Sequence, residues 1–333
     1  MTGAADRALG ALYGLAIGDA LGMPTQSLPR QRIQETFGTL TGFEAAPPDQ
    51  PLAAGMPAGA VTDDTEQAVL LARLLIDGGG RIDPLVLARS LLEWEDDMRR
   101  RGSLDLLGPS TKRAVAAVAG GTPVEEAGRY GDTNGAAMRI TPVGIAAGGD
   151  GPDALLDSVV EASSVTHNTS VALAGAAAVA AAVSAGIDGA DVEEAVRHAE
   201  RAAAAGVRRG HWVAAADIAA RIRWATGLVA DRPVAAAAED IYDLVGTSVA
   251  TQESVPAAFA VLALYPDDPW QACLLAASLG GDCDTIAAIA GAIAGACHGI
   301  RSLPEEAVAT VRRVNDLPLD DLALRLLTLR HGA

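Results

Sequence analysis

Two short acidic segments, Val61-Thr62-Asp63-Asp64-Thr65 and Gly281-Asp282-Cys283-Asp284-Thr285, each stand directly before a run rich in alanine, leucine and isoleucine. The runs are EQAVLLARLLID at 66–77 and IAAIAGAIAGA at 286–296, and both compositions favour a helix. Carboxylate and hydroxyl side chains at a helix start can cap free backbone N–H groups and oppose the positive end of the helix dipole. The pattern therefore predicts two helices that begin at acidic N-termini.

The same segments also form a set of hard oxygen donors. Threonine hydroxyls accompany four carboxylates, those of Asp63, Asp64, Asp282 and Asp284, and no basic residue stands beside them. Donors of this kind suit Mg²⁺, Mn²⁺ or Ca²⁺ and not a thiol-loving metal. We expect the two segments to meet in space around divalent metal, and helix capping alone is the alternative that the pattern leaves open.

The composition predicts a helical protein with a large core. Of the 333 residues, 50% are hydrophobic and only 3% aromatic, and the apolar residues are mostly alanine, leucine and valine. Alanine is the best helix former, and small side chains let helices approach closely. No stretch has a convincing β-strand pattern and no linker divides the chain. We therefore expect an all-α fold in which residues 1–333 form a single compact domain of orthogonally packed helices.

The net charge limits the classes of partner that the protein can bind. The chain carries a formal charge of -17 and has a pI near 4.6, so it should repel phosphate backbones and anionic membranes. Its three cysteines cannot form a paired disulfide framework and lack a CxxC zinc spacing. The N-terminus lacks the basic region of a signal peptide, and the stretch 171–187 is only mildly hydrophobic, which predicts a buried helix. We expect a cytoplasmic protein without nucleic-acid or membrane partners.

Proline and glycine recur from residue 22 to residue 60, and this segment is predicted to be a long ordered loop of the kind that often forms lids.

Tyr130–Arg139 is a small-residue turn that opens a predicted helix reaching about Ala147. The backbone N–H groups of such a turn can hold a phosphate or a sugar. The other predicted helices span 5–21, 65–77, 83–99, 110–119, 152–163, 169–186, 189–205, 211–227, 233–245, 256–264 and 270–279, with one or two more in 303–332.

Five short motifs follow one another along the chain: Gly18-Asp19-Ala20-Leu21-Gly22, Thr62-Asp63-Asp64-Thr65, Asn134-Gly135-Ala136-Ala137-Met138-Arg139, Thr166-His167 and Asp282-Cys283-Asp284-Thr285. Their order, over roughly residues 6 to 300, resembles that of the ADP-ribosylglycohydrolases. The resemblance implies an all-helical fold and two bound Mg²⁺ or Mn²⁺ ions. It also implies hydrolysis of the bond between the anomeric carbon of ribose and an attached group.

The resemblance assigns a role to residues in each motif. It makes Asp19 a support for the metal ligands. The implied metal ligands, which agree with the donor chemistry, are Thr62, Asp63, Asp64, Asp282, Asp284 and Thr285. The implied substrate-binding residues are Asn134, Gly135, Ala136, Met138 and His167.

Each of these assignments has a structural alternative. Asn134–Arg139 could be a tight helix start whose small residues only permit close packing. His167 could be a hydrogen-bonded structural residue, and Asp19 a buried carboxylate with satisfied hydrogen bonds. Two doubled acidic clusters exceed what capping needs, so the metal assignment is favoured over the capping alternative.

Two departures from the family pattern concern the substrate. Many members have a glutamate seven residues after the aspartate of the first motif, where this chain has Gln26, which cannot take up a proton but could orient a water or accept a sugar hydroxyl. Asp132 would repel a diphosphate, and few aromatic rings are available to stack an adenine. The carboxylates left as candidates for the base are Asp63, Asp64, Asp284 and Asp105.

These observations favour a divalent-metal-dependent hydrolase of a ribosyl glycosidic bond. The favoured interpretation is an ADP-ribosylglycohydrolase that removes ADP-ribose from a protein or a small molecule, with two Mg²⁺ or Mn²⁺ ions as cofactors. One alternative is a hydrolase of small nucleosides or related ribosides. Another is a non-catalytic relative, either a ligand-binding protein or one resembling the lens crystallins of this family.

Overall fold

Helices make up the regular structure of the described part of the chain. A computed structural model describes residues 3–104, 107–148 and 151–332, which contain eighteen α-helices and no β-strand. The all-α prediction is confirmed, and the single domain over 1–333 stays a prediction. The helices are α1 (Gly3–Gly22), α2 (Arg30–Phe37), α3 (Asp63–Asp77), α4 (Pro84–Arg100), α5 (Pro109–Ala119), α6 (Val124–Ala127), α7 (Gly135–Arg139), α8 (Thr141–Ala146), α9 (Pro152–Ser163), α10 (Ser170–Asp188), α11 (Val192–Gly206), α12 (Ile218–Val229), α13 (Val234–Asp240), α14 (Thr251–Leu264), α15 (Pro269–Ala277), α16 (Cys283–His298), α17 (Glu305–Asn315) and α18 (Leu319–Gly332).

The segment predicted as one long loop contains a helix, α2. Pro29 precedes this helix in an extended conformation, and Ile33 is the one buried residue of its eight. A single buried position leaves no apolar periodicity to detect, because amphipathic helices are identified by repeated apolar residues at intervals of three and four. The prediction of an uninterrupted loop from 22 to 60 was therefore wrong.

Proline accounts for two further differences. The helix predicted from Tyr130 to about Ala147 is divided into α7 and α8, because Pro142 has no N–H to donate to the carbonyl of Met138. Conversely, α14 begins five residues earlier than predicted and continues through Pro256. Pro256 has no backbone N–H to donate to the carbonyl of Gln252. That carbonyl instead accepts a hydrogen bond from Arg221 Nε at 3.2 Å.

The closest helix pair, α1 and α16, runs antiparallel with backbone against backbone. A Cβ atom at Gly10, Gly14 or Gly18 of α1 would overlap a carbonyl oxygen of α16, at Gly295, Gly291 or Ala287 respectively. Because the spacing is four residues, these glycines lie on one face of the helix. The pairing brings Gly22, at the end of α1, against the backbone of Asp284 at the start of α16. Asp19 and the second acidic segment are thereby held at the same end of the helix pair.

The alanine-rich helix α10 lies in the core, as predicted. In the described residues it is the one helix long and apolar enough to cross a membrane, and 94% of its apolar window is buried inside the protein. Its first residue, Ser170, takes part in the short pairing of Thr169 with His211. The turn that carries Thr166 and His167 lies directly before this helix.

Candidate active site

A cavity of about 370 Å³ opens where the loop after α1, the starts of α3 and α5, α7 and the start of α16 converge. Both acidic segments contribute to its wall, so the structure brings together residues that are far apart in sequence. The residues lining it are Gln26, Ser27, Leu52, Asp63, Asp64, Leu104, Leu107, Gly108, Pro109, Thr111, Lys112, Thr133, Asn134, Gly135, Met138, Val249, Asp282, Asp284 and Thr285.

Asp19, and not a residue of the acidic segment, caps the start of α3. Its carboxylate accepts hydrogen bonds from the backbone N–H and the hydroxyl of Thr62, at 3.0 and 2.7 Å, and from the same two groups of Thr65, at 3.1 and 2.5 Å. The side chain of Thr62 makes no capping bond, and neither does that of Asp282 before α16. Neither residue that directly precedes the two helices therefore supplies a side-chain cap.

Thr62 is buried behind the cavity wall, and its hydroxyl proton is committed to Asp19. The lone pairs of that hydroxyl oxygen remain as potential donors to a cation. Asp19 thus fixes the side chain of Thr62, a predicted metal ligand, in place, and its support of a metal site stays a prediction.

Asp64 is buried among the other carboxylates of the cluster. Burial raises its pKa well above the ordinary value, and repulsion from Asp284, Asp63, Asp19 and Asp282 adds to the effect. Its Oδ2 accepts a hydrogen bond from the hydroxyl of Thr285 at 3.2 Å, whereas its buried Oδ1 has no hydrogen-bond partner among the described residues. A buried anionic oxygen without a donor is costly unless a cation neutralises it.

The donors therefore fit a hard divalent cation by their chemistry. They are carboxylate and hydroxyl oxygens, and their mutual repulsion would be relieved by positive charge. Across the described residues no three His, Cys, Asp or Glu side chains converge tightly enough to form a complete metal site. The assignment of metal ligands rests on donor type and electrostatics, and stays a prediction.

Asn134 holds Asp282 in position. Its Nδ2 donates hydrogen bonds to Asp282 Oδ2 at 2.5 Å and to the hydroxyl of Ser254 at 3.0 Å. Burial raises the pKa of Asp282, and the bonds from Asn134 and Thr285 oppose that rise. Asn134 also lines the cavity, so the predicted contact with a substrate remains compatible with its position.

The loop before α14 clamps both halves of the site, and sequence reasoning missed it. Its backbone carbonyl at Val249 accepts from Asn134 N at 2.9 Å, and its carbonyl at Thr247 accepts from Asp282 N at 2.7 Å. The sequence of this loop, GTSVATQESVP at 246–256, contains no pattern that predicts contacts with Asn134 or Asp282. The contacts arise only when α14 packs beside α16.

The remaining predicted substrate-binding residues divide into two groups. Gly135 and Met138 line the cavity, whereas Ala136 is buried in the hydrophobic core. His167 is fully buried beneath Gly135, at which a Cβ atom would lie 2.9 Å from the imidazole Cε1. Glycine at 135 therefore makes room for the ring of His167.

Each ring nitrogen of His167 is hydrogen-bonded to the hydroxyl of a threonine. Nδ1 lies 2.8 Å from the hydroxyl of Thr166 and Nε2 lies 3.0 Å from the hydroxyl of Thr133. Burial lowers the pKa of His167 well below 6.5, and the charges of Arg139 and Arg113 lower it further. The imidazole is neutral, and the residue that it presents to the cavity is Thr133. The predicted contact of His167 with substrate stays a prediction.

Arg139 places a buried positive charge behind the acidic cluster. Its guanidinium donates to Gln67 Oε1 at 3.1 Å and to the hydroxyl of Thr166 at 2.5 Å. Gln67 Nε2 in turn donates to Asp63 Oδ2 at 2.9 Å. Burial lowers the pKa of Arg139 to about 10, so it stays protonated at neutral pH. Gln67 and Arg139 thus orient Asp63, although Gln67 stands out in no sequence motif.

Gln26 reaches the cavity from the loop after α1. Its side chain is only 4% exposed, and its Nε2 has no hydrogen-bond partner among the described residues. The loop itself is bonded to the second acidic segment, from Ser27 N to Gly281 O at 2.6 Å and from Gly281 N to Leu28 O at 2.9 Å. A well-anchored loop therefore holds an unused amide donor at the cavity. The other candidate that sequence reasoning raised for the base, Asp105, lies outside the described residues.

Comparisons with known proteins give one consistent result. A family model described as ADP-ribosylglycohydrolase matches residues 1–333. An uncharacterized Escherichia coli K12 protein, YegU, is 37% identical over 98% of this chain and 98% of its own length. A Pseudomonas putida protein described as ADP-ribosylarginine hydrolase Tri1 is 30% identical over 92% of this chain and 75% of its own. A solved structure described as an ADP-ribosylglycohydrolase-related protein complex superimposes with a TM-score of 0.70 and 26% identity, over 99% of this chain and 100% of that one.

Proposed function

The chain belongs to the ADP-ribosylglycohydrolase family and is a glycoside hydrolase, and we propose that it cleaves ADP-ribosyl bonds in a divalent-metal-dependent reaction. The observation that carries the proposal is the buried cluster at the end of the cavity. There, carboxylates from two distant segments repel one another, and Asp64 Oδ1 lacks a hydrogen-bond donor.

The residues that would hold two Mg²⁺ or Mn²⁺ ions come from both acidic segments. When bound, such ions polarise sugar oxygens and lower the pKa of a coordinated water. Asp19 and Asn134 keep the ligand side chains oriented, through Thr62 and Asp282 respectively. The proposed ligands are Thr62, Asp63, Asp64, Asp282, Asp284 and Thr285.

The chain's own groups can perform the remaining steps. A carboxylate of the cluster takes the proton of the attacking water, because Gln26 has no site that can accept one at physiological pH. Gln26 Nε2 donates a hydrogen bond to a substrate oxygen, which satisfies its unpartnered N–H groups. The negative potential of the cluster stabilises positive charge that develops on the ribose ring in the transition state.

The substrate is proposed to be an ADP-ribosylated protein or a small ADP-ribosyl compound. The Pseudomonas relative is described as an ADP-ribosylarginine hydrolase, so ADP-ribosyl-arginine is the first compound to test. The linkage that this chain prefers depends on the group attached to the anomeric carbon, which would lie at the open side of the cavity.

A product-release assay tests the proposal. ADP-ribosyl-arginine, ADP-ribosyl-serine and free nucleosides are each incubated with the protein in Mg²⁺, in Mn²⁺ and in EDTA. We expect ADP-ribose release that needs metal, and a loss of at least about a thousandfold in Asp64→Asn. Asp77→Asn, an exposed aspartate at the far end of α3, is the matched control. Turnover of nucleosides alone would overturn the ADP-ribose assignment, and equal rates in EDTA would overturn metal dependence.

A further inference from the structure

Lys112 is the only lysine in the chain, and it lies at the cavity. The other 24 of the 25 basic residues are arginines, and the formal net charge is -17. Among the described residues that line the cavity, Lys112 is the single cation, whereas four aspartates supply negative charge. The buried Arg139 stands behind the wall and does not line it. The cavity therefore has an acidic part and one positively charged position.

The local backbone reinforces that positive charge. Lys112 lies in the first turn of α5, and Gly108, Pro109 and Thr111 of the same turn also line the cavity. The first turn of α5 contains no acidic residue and its N-cap, Gly108, has no side chain, whereas acidic residues open both α3 and α16. The positive end of the α5 dipole is thus left without a neutralising side chain, and it adds to the field of the ammonium group.

The charges of an ADP-ribosyl substrate match this division. Its diphosphate is anionic and would be repelled by the aspartate cluster, whereas its terminal ribose is neutral and offers hydroxyl groups. A lysine ammonium binds phosphate as a compact point charge with three donors. The unpartnered amide of Gln26, which is only 4% exposed and lines the same cavity, independently indicates that the cavity takes a polar ligand.

We propose that Lys112 is a substrate-binding residue that contacts the diphosphate of the ADP-ribosyl group while the terminal ribose lies at the carboxylates. The inference rests on the proposed function, because it takes the ADP-ribosyl group as the substrate. It adds a specificity role that none of the motifs of the family resemblance contains. A nucleoside, which lacks the diphosphate, would gain nothing from Lys112.

The uniqueness of Lys112 allows a direct binding test. Reductive methylation with ¹³C-formaldehyde gives one dimethyl-lysine signal and keeps the ammonium charge; the α-amino signal is distinguished by its lower pKa. The labelled protein is titrated in EDTA with ADP, inorganic pyrophosphate and adenosine. We expect the lysine signal to shift with ADP and with pyrophosphate and to stay in place with adenosine. No shift with either anion, or an equal shift with adenosine, overturns the inference.

Kinetics give the second test. Lys112→Met should raise KM for ADP-ribosyl-arginine about tenfold and leave kcat within about twofold. Lys112→Arg, which keeps the charge, should recover most of the loss. Arg89→Met is the matched control, because Arg89 is an exposed residue of α4 that loses the same charge away from the cavity. The salt dependence of KM should be weaker in Lys112→Met than in the wild type.

The two levels of the proposal fail in different ways. If the wild type releases ADP-ribose and Lys112→Met keeps its KM, the role of Lys112 is overturned and the proposed function stands. If the wild type releases no ADP-ribose from any substrate, the proposed function fails, and the titration with pyrophosphate still decides whether Lys112 binds a diphosphate.

Discussion

Both oxygens of the Asp19 carboxylate accept hydrogen bonds from Thr62: Oδ1 from the hydroxyl at 2.7 Å and Oδ2 from the backbone N–H at 3.0 Å. Thr65 adds two more donors to Oδ2. A side chain of α1 thereby caps α3, and Asp63 and Asp64 of the same segment line the cavity. Support for the first acidic segment comes from another helix.

Asp19→Asn should destabilise the protein. An asparagine presents an NH₂ group where the carboxylate faces only donors, so at least one buried N–H or O–H would lose its acceptor. We expect the free energy of unfolding in urea to fall by about 3 kcal/mol. Asp77→Asn, which removes an exposed carboxylate, should change it by less than about 0.5 kcal/mol. Equal effects of the two substitutions would contradict the capping role.

Substitution of the α1 glycines should disturb the helix pair that supports the site. Gly14→Ala places a methyl group onto the carbonyl oxygen of Gly291, and the two backbones must separate. We expect a loss of about 3 kcal/mol or more in the free energy of unfolding. Gly227→Ala in α12 is the matched control, since a Cβ there meets nothing within 4 Å. Gly227→Ala should raise the free energy of unfolding by up to about 1 kcal/mol. A similar loss of this free energy at both positions would argue against close packing of α1 on α16.

Asp64→Asn should change thermal stability, relative to the wild type, in opposite directions with and without metal. Without metal, removing one of several mutually repelling carboxylates should raise the melting temperature by about 2–4 °C. With Mg²⁺ or Mn²⁺ at a hundred times Kd, the wild type should gain about 2.7 kcal/mol of stability, and the variant should gain much less. Thermal melts in EDTA and in each metal measure both signs. A variant that responds to metal as the wild type does would rule Asp64 out as a ligand.

Gln26→Met should separate stability from activity. The substitution removes a buried amide whose Nε2 has no partner, so the free energy of unfolding should rise by about 1 kcal/mol. The same substitution removes the proposed donor to the substrate, and kcat/KM should fall about tenfold. Urea unfolding and the ADP-ribose release assay provide the two readouts. A further variant, Gln26→Glu, tests the alternative directly, since an increase in kcat would show that this position works best as a base.

His167 should remain neutral over the physiological range. Burial holds its pKa well below 6.5, so its imidazole NMR signals should not move between pH 8 and pH 5.5. The unfolded chain takes up a proton below about pH 6.5, so this residue's contribution to folding stability is lost as the pH falls through that value. The loss is at most about 1.4 kcal/mol per pH unit. Relative to the wild type, His167→Gln should reduce the loss of stability on acidification by this amount, and an unchanged pH slope would contradict the assignment.

The helical class and the residues of the acidic cluster were accessible from the sequence, because both depend on local chemistry. Alanine and leucine runs form helices wherever they are buried, and doubled carboxylates before such runs exceed what a helix start requires. The short helix α2 was missed because Ile33 is its single buried residue, so no apolar period was present. The continuation of α14 through Pro256 was missed because it depends on a contact with another helix. The carbonyl of Gln252, which receives no hydrogen bond from Pro256, accepts one from Arg221 of α12.

The sequence by itself thus determined that the chain is helical and identified the carboxylates that line the cavity. Tertiary structure alone decided how those groups are held: Asp19 caps α3, Asn134 fixes Asp282, and His167 lies beneath Gly135 with Thr133 before it. The physical reason is that these bonds join groups on different helices. Their distances follow from the glycine-lined contact of α1 with α16 and the packing around it, which no local pattern encodes.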